Sequence, residues 1–111
     1  RNTVMIVDDH PLFRQGLRRI IAEGGRFTVV AEAETGYEAI RQADIHNPHI
    51  ILSDIQLPGV TGLKIARILK KQHPRTQIVF CSMHIDDERL FDAVRAGASA
   101  FLTKDIEAQQ L

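Results

Sequence analysis

The chain has a single cysteine, no excess of either charge, and no apolar run long enough to cross a bilayer. Each shortage excludes something. A lone thiol, Cys81, cannot form an intramolecular disulfide, which agrees with a cytoplasmic setting. It lies in the apolar run Ile78-Val79-Phe80 with no charged neighbour, so it reads as a buried structural thiol rather than a nucleophile. The 14 basic side chains match 14 acidic ones, and a net charge of zero argues against nucleic-acid binding by this segment. No stretch approaches the roughly 18 residues of a membrane span, and no signal-peptide pattern opens the chain. Neither G-x-x-x-x-G-K-[ST] nor a G-x-G-x-x-G after a strand occurs, so nucleotide binding is unsupported. There is no repeat, low-complexity stretch or long linker. The 111 residues suit one domain with one core. Opening on Arg1 rather than Met, the sequence reads as a fragment or a processed chain.

What is present is an alternation of short β-branched runs and helical patterns. Residues 3–7 form the first predicted strand. Pro11 suits the first turn of a helix, where its missing N–H costs nothing. Leu12, Phe13, Gly16, Leu17, Ile20 and Ile21 recur at helical spacing, and Gly24-Gly25 stops that helix. A second strand is predicted over 27–33. Thr35-Gly36-Tyr37-Glu38 has capping-box spacing and starts a second helix, which Asn47-Pro48 breaks. A third strand covers 49–53. After the loop Leu57-Pro58-Gly59-Val60-Thr61-Gly62, a third helix buries Leu63, Ala66 and Leu69. A fourth strand is predicted over 77–81. Asp86 caps a fourth helix that ends at Gly97. A fifth strand covers 100–103, and a fifth helix opens at Ile106 and is truncated at Leu111. Five such units predict an α/β, doubly wound, five-stranded parallel sheet with right-handed crossovers.

The chemistry gathers at the ends of these strands. Asp8 and Asp9 follow the run Val4-Met5-Ile6-Val7, and Asp54 follows Ile50-Ile51-Leu52-Ser53. Parallel neighbours end on one edge, the carboxyl edge, where open α/β sheets bind ligands. Three carboxylates there would repel one another. A hard divalent cation resolves this, and Mg²⁺ typically takes one or two carboxylates plus phosphate oxygens and water. Ser82 follows the fourth strand and Lys104 the fifth, so a hydroxyl and an ammonium join the acids. These two could hold two oxygens of a phosphoryl group, and Asp54 could be the nucleophile.

Bland readings cover the remaining polar residues. His46-Asn47-Pro48-His49 has H-x-x-H spacing but spans a helix end and a strand start, which disfavours a metal site. His10 reads as a residue leading into the first helix. Arg14, Arg18 and Arg19 lie near one helix face and read as solvent-facing, with kinase docking as a second reading.

Over its whole length the chain resembles the receiver domain of bacterial two-component response regulators. The matching stretches are residues 4–9, 50–59, 78–82 and 96–104. The segment Asp8-Asp9-His10-Pro11-Leu12-Phe13-Arg14-Gln15-Gly16-Leu17 is similar to the NarL/LuxR-type subfamily, which usually carries a helix-turn-helix output domain. The resemblance implies a flavodoxin-like strand order of 2-1-3-4-5, residues 1–111 as one receiver domain, and an output domain absent from this chain. It implies that Asp54 is the phosphoacceptor. Asp9 and Asp54 would ligate Mg²⁺ directly, Asp8 largely through water, and the Gln56 backbone carbonyl would complete the protein's share; Mn²⁺ can substitute. Ser82 would be the switch hydroxyl, Phe101 the switch aromatic and Lys104 the phosphoryl partner. Gln56 and His84 would rim the pocket. Asp105 stands where many receivers have proline, and Phe101 lacks the phenol of a tyrosine.

The implied partner is a sensor histidine kinase or a small phosphodonor. A homodimer is expected through the helix-four, strand-five and helix-five side or through helix one. The implied product is a conformation, so the domain catalyses only its own phosphorylation and slow autodephosphorylation. The alternative is a stand-alone phosphoryl-transfer enzyme using Asp54 as nucleophile. Such an enzyme should carry a second acid two residues further on, where this chain has Gln56.

Overall fold

The structure, a computed structural model, describes residues 2–54, 57, 62–82 and 100–103, with residues 82 and 100–103 given by backbone alone. The elements run β1 (Asn2–Val7), α1 (Pro11–Gly24), β2 (Phe27–Ala33), α2 (Gly36–His46), β3 (Ile50–Asp54), α3 (Gly62–Gln72), β4 (Gln77–Ser82) and β5 (Ala100–Thr103). The predicted fourth and fifth helices, 86–97 and 106–111, lie outside the described residues.

All five strands are parallel and their order is β2-β1-β3-β4-β5. The chain first steps from β1 outward to β2, then doubles back past β1 to β3. Right-handed crossovers in opposite directions must lie on opposite faces of the sheet. The packing obeys this. Val4, Ile6 and Leu52 meet Leu17 and Ile21 of α1 on one face. Met5, Val7, Ile51, Ile78 and Phe80 meet Ala39 and Ala43 of α2 and Ile65, Ala66 and Leu69 of α3 on the other. The central strands are therefore covered on both sides, which is why their sequences are continuously apolar.

Local signals set the helix ends. Gly25 takes φ 72°, a left-handed conformation that terminates α1 without a Cβ penalty. The Thr35 hydroxyl accepts the Glu38 N–H at 3.2 Å and caps α2. Asn47, at φ 44°, closes α2 and returns its N–H to the Ala43 carbonyl. Two strands end one residue later than predicted, at Asp54 and Ser82, because Asp54 pairs with Cys81 and Ser82 with Thr103 in the ladder. The predicted apolar face of α1 is narrower than expected. Leu17 and Ile21 are buried, whereas Leu12 is 82% exposed and Gly16 is also exposed. Phe13, its neighbour in the first turn, packs against the core under α1 instead.

β2 carries an irregularity with consequences for the site. Val4 pairs with Val29, but Met5 pairs with Ala31, so Val30 is an extra residue. Such a bulge reverses the alternation of a strand's side chains. Phe27 and Val29 accordingly pack on the α1 side, while Ala31 and Ala33 pack on the α2 and α3 side. Glu32 is thereby turned toward α1.

The core makes a direct expectation. Phe80 is 0% exposed, so Phe80→Ala should cost about 3–5 kcal/mol through lost burial and a residual cavity. Leu12→Ala should stay within about 0.5 kcal/mol of the parent protein, as surface changes do. Urea unfolding midpoints of the two variants test the contrast.

Candidate functional site

β1 and β3 are neighbours from which the chain departs in opposite directions, and the carboxyl ends of such strands flank a crevice. Asp54 closes β3 and Asp8 follows β1 at that crevice. The Asp8 N–H continues the ladder by donating to the Ala33 carbonyl at 3.0 Å. Both residues are buried, at 1% exposure for Asp8 and 4% for Asp54, while Asp9 is more open. One ligand atom from each of Asp8, Asp9, His10 and Asp54 falls within 4.8 Å of all the others. The sequence's three acids do meet at one spot.

His10 ties two of them together. Its backbone N–H donates to Asp8 Oδ1 at 2.8 Å. Its ring Nδ1 lies 2.9 Å from Asp8 Oδ1 and 3.1 Å from Asp9 Oδ1. Both partners are acceptors, so Nδ1 carries the proton and donates. His10 is also the residue that precedes Pro11 at the start of α1, and its carbonyl accepts the Arg14 N–H at 3.1 Å. It thus does more than lead into the helix, as its sequence position suggested.

Three of the four groups offer carboxylate oxygen, and two of the three acids are buried. Hard oxygen ligands at this spacing suit Mg²⁺ or Mn²⁺ better than a thiophilic ion. Neither His46 nor His49 belongs to this group. The His49 Nδ1 accepts the Thr3 N–H at 3.1 Å at the opposite edge of the sheet.

The rest of the expected set is reached through the backbone. Asp54 is level with Cys81, which places Ser82 one step beyond on β4, and Ser82 is level with Thr103, which directly precedes Lys104. Phe101 is level with Phe80. Gln56, His84 and Lys104 lie outside the described residues, as do the side chains of Ser82 and Phe101. Cys81 is 2% exposed and behaves as the structural thiol expected.

Arg14 is where the structure departs from the sequence reading. Its side chain is only 13% exposed and is bound on three sides rather than solvated. Nη1 donates to the Asp8 carbonyl at 2.6 Å, Nε to Glu32 Oε1 at 3.1 Å, and Nη2 to Glu34 Oε1 at 3.1 Å. Arg18 shares Glu32 through Oε2 at 2.6 Å. Helical spacing flagged Arg14 and Arg18 as neighbours; the acceptors on β2 are distant in sequence and left no local signal.

Comparison with known proteins is consistent across sequence and structure. The family profile described as "Response regulator receiver domain" matches residues 4–111. The transcriptional regulatory protein DegU of Brevibacillus brevis is 37% identical over 108 residues, 97% of this chain and 46% of DegU. The nitrate/nitrite response regulator protein NarL of Escherichia coli K12 is 34% identical over 109 residues, 98% of this chain and 50% of NarL. The chain spans about half the length of the curated relatives it matches. Among solved structures, the signal receiver domain of the response regulator NarL from Mycobacterium tuberculosis superposes with a TM-score of 0.93 at 32% identity, covering 98% of this chain and 88% of that one. Among the described residues, no helix is long and apolar enough to cross a membrane.

Asp9 is open to solvent and holds no element together, so its removal should spare the fold. Asp9→Ala should lose most Mg²⁺ affinity, because such sites have few protein ligands to spare. Calorimetric Mg²⁺ titrations that match for the variant and the parent would contradict the assignment.

Proposed function

This chain belongs to the response regulator receiver domain family, of the NarL/LuxR type, and from that premise we propose that it is a switch phosphorylated on Asp54. The observation that carries this reading is the convergence of Asp8, Asp9 and Asp54 on the crevice between β1 and β3. Residues 1–111 act as one receiver domain, and the phosphoryl group comes from a sensor histidine kinase or a small phosphodonor.

An oxygen of the Asp54 carboxylate bonds to phosphorus as the bond to the donor breaks. Asp8, Asp9, Asp54 and the Gln56 carbonyl would hold Mg²⁺ or Mn²⁺, which when bound would neutralise charge on the phosphoryl oxygens. Asp54 is fixed in the β3–β4 ladder, so the nucleophile is oriented before the donor arrives. Ser82 and Lys104 receive the new phosphoryl oxygens, one by hydroxyl and one by ammonium. The register of β3, β4 and β5 supports this, since it steps from Asp54 to Ser82 to the residue before Lys104. Drawing Ser82 inward opens room for Phe101 to turn in, and the surface around β5 changes. Such a local electrostatic event biasing a two-state element is how phosphorylation commonly acts.

The output is a conformation that governs a helix-turn-helix domain and transcription in the cytoplasm, and the domain removes its own phosphoryl group slowly. Two copies associate through α1 or through the side that carries β5.

Asp54→Asn should abolish the mass gain of about 80 Da expected when a carboxylate nucleophile takes one phosphoryl group from acetyl phosphate. An intact mass showing full labelling of that variant would sink the reading. Gln56 and His84 should set the lifetime of the phosphoryl group rather than its formation. Gln56 hydrogen-bonds a water without acting as a strong base, and His84 can change charge near neutral pH. Decay rates of phospho-Asp54 in Gln56→Ala and His84→Ala, at fixed pH, should both differ from the parent protein.

A further inference from the structure

Asp8 is held at each of its backbone polar groups. Its N–H goes to the Ala33 carbonyl on β2 and its own carbonyl accepts Nη1 of Arg14 at 2.6 Å. The second bond comes from a side chain whose other two donors grip Glu32 and Glu34, at and just past the end of β2. The loop bearing the acids is therefore fastened to β2 on two sides. Glu32 can take part because the bulge at Val30 absorbs one residue and leaves it level with Ile6, on the α1 side. Arg14 makes three directed bonds from one planar fork, a geometry that a lysine cannot reproduce.

We infer that Arg14 is a positioning residue for the metal centre, fixing the Asp8 backbone against β2 so that Asp8 and Asp9 present their carboxylates at ligand spacing. The inference rests on the metal reading proposed above. Arg14 touches no ligand oxygen of the cluster. It acts through the peptide unit that joins Asp8 to Asp9. Rotation of that unit would swing Asp9, the more exposed acid, away from Asp54. Arg14 and Arg18 share Glu32, yet only Arg14 reaches the acid loop. Arg18 is therefore an internal control for general loss of the ion pairs between α1 and β2.

The test measures Mn²⁺ binding to the whole chain through the electron paramagnetic resonance signal of the free ion. Arg14→Gln should weaken Mn²⁺ by about tenfold, the scale on which partners outside the ligand shell act. Arg14→Lys should regain only part of that loss, and Arg18→Gln should bind like the parent. In metal-free Arg14→Gln, amide exchange should quicken at Asp9 and His10 while Ile51 and Ile78 keep parent rates. Unchanged Mn²⁺ affinity in Arg14→Gln would overturn the inference. So would full recovery in Arg14→Lys, which would assign the effect to charge alone, or an equal loss in Arg18→Gln. Failure of the parent chain to bind Mn²⁺, or full affinity in Asp9→Ala, would instead overturn the metal reading beneath it.

Discussion

Three carboxylates drawn into one small volume set the terms for everything around them. At separations within 4.8 Å, two like charges repel by on the order of 3 kcal/mol at the effective dielectric of a protein site. Asp8 and Asp54 cannot relieve this by turning outward, because both are buried at strand ends. The surroundings offer compensation instead. His10 presents an N–H from its backbone and another from its ring to Asp8, and the ring also reaches Asp9. A divalent cation would meet the same need with more charge. The fold thus maintains a standing demand for positive charge at one place, a demand that a metal ion could meet.

The location of that demand follows from handedness. Right-handed crossovers from β1 and β2 put α1 on one face and α2 on the other, so the carboxyl ends of β1 and β3 flank the point where the chain changes direction. The core residues beneath serve this arrangement. Met5, Val7 and Ile51 lock β1 against β3, so the distance between Asp8 and Asp54 is a property of the sheet rather than of flexible side chains.

Much of this was legible in the sequence, for a physical reason. Strand ends are marked by abrupt changes from apolar to polar, so Asp8, Asp9 and Asp54 declare their common edge without knowledge of tertiary contacts. The caps at Thr35 and Asn47 and the stop at Gly25 are local chemistry and were equally readable. What escaped was the use made of Arg14. A charged residue at helical spacing looks the same whether it meets water or three acceptors. Two of its acceptors here, Glu32 and Glu34, sit 18 and 20 residues further on, in and just past β2. Leu12 shows the converse: apolar and at helical spacing, it lies exposed while Phe13 beside it packs against the core.

Val30, the extra residue in β2, makes the strand's parity a structural variable. Odd-numbered residues serve the α1 layer before it and the opposite layer after it. A single edge strand is thereby shared between two helices that never meet across the sheet. Counting along β2 therefore fails as a guide to which side chain faces where: strict alternation from Phe27 would set Ala31 against α1 and send Glu32 to the opposite layer. The bulge, rather than the identity of any residue after it, decides whether helix α1 finds an acid or a methyl group waiting for it.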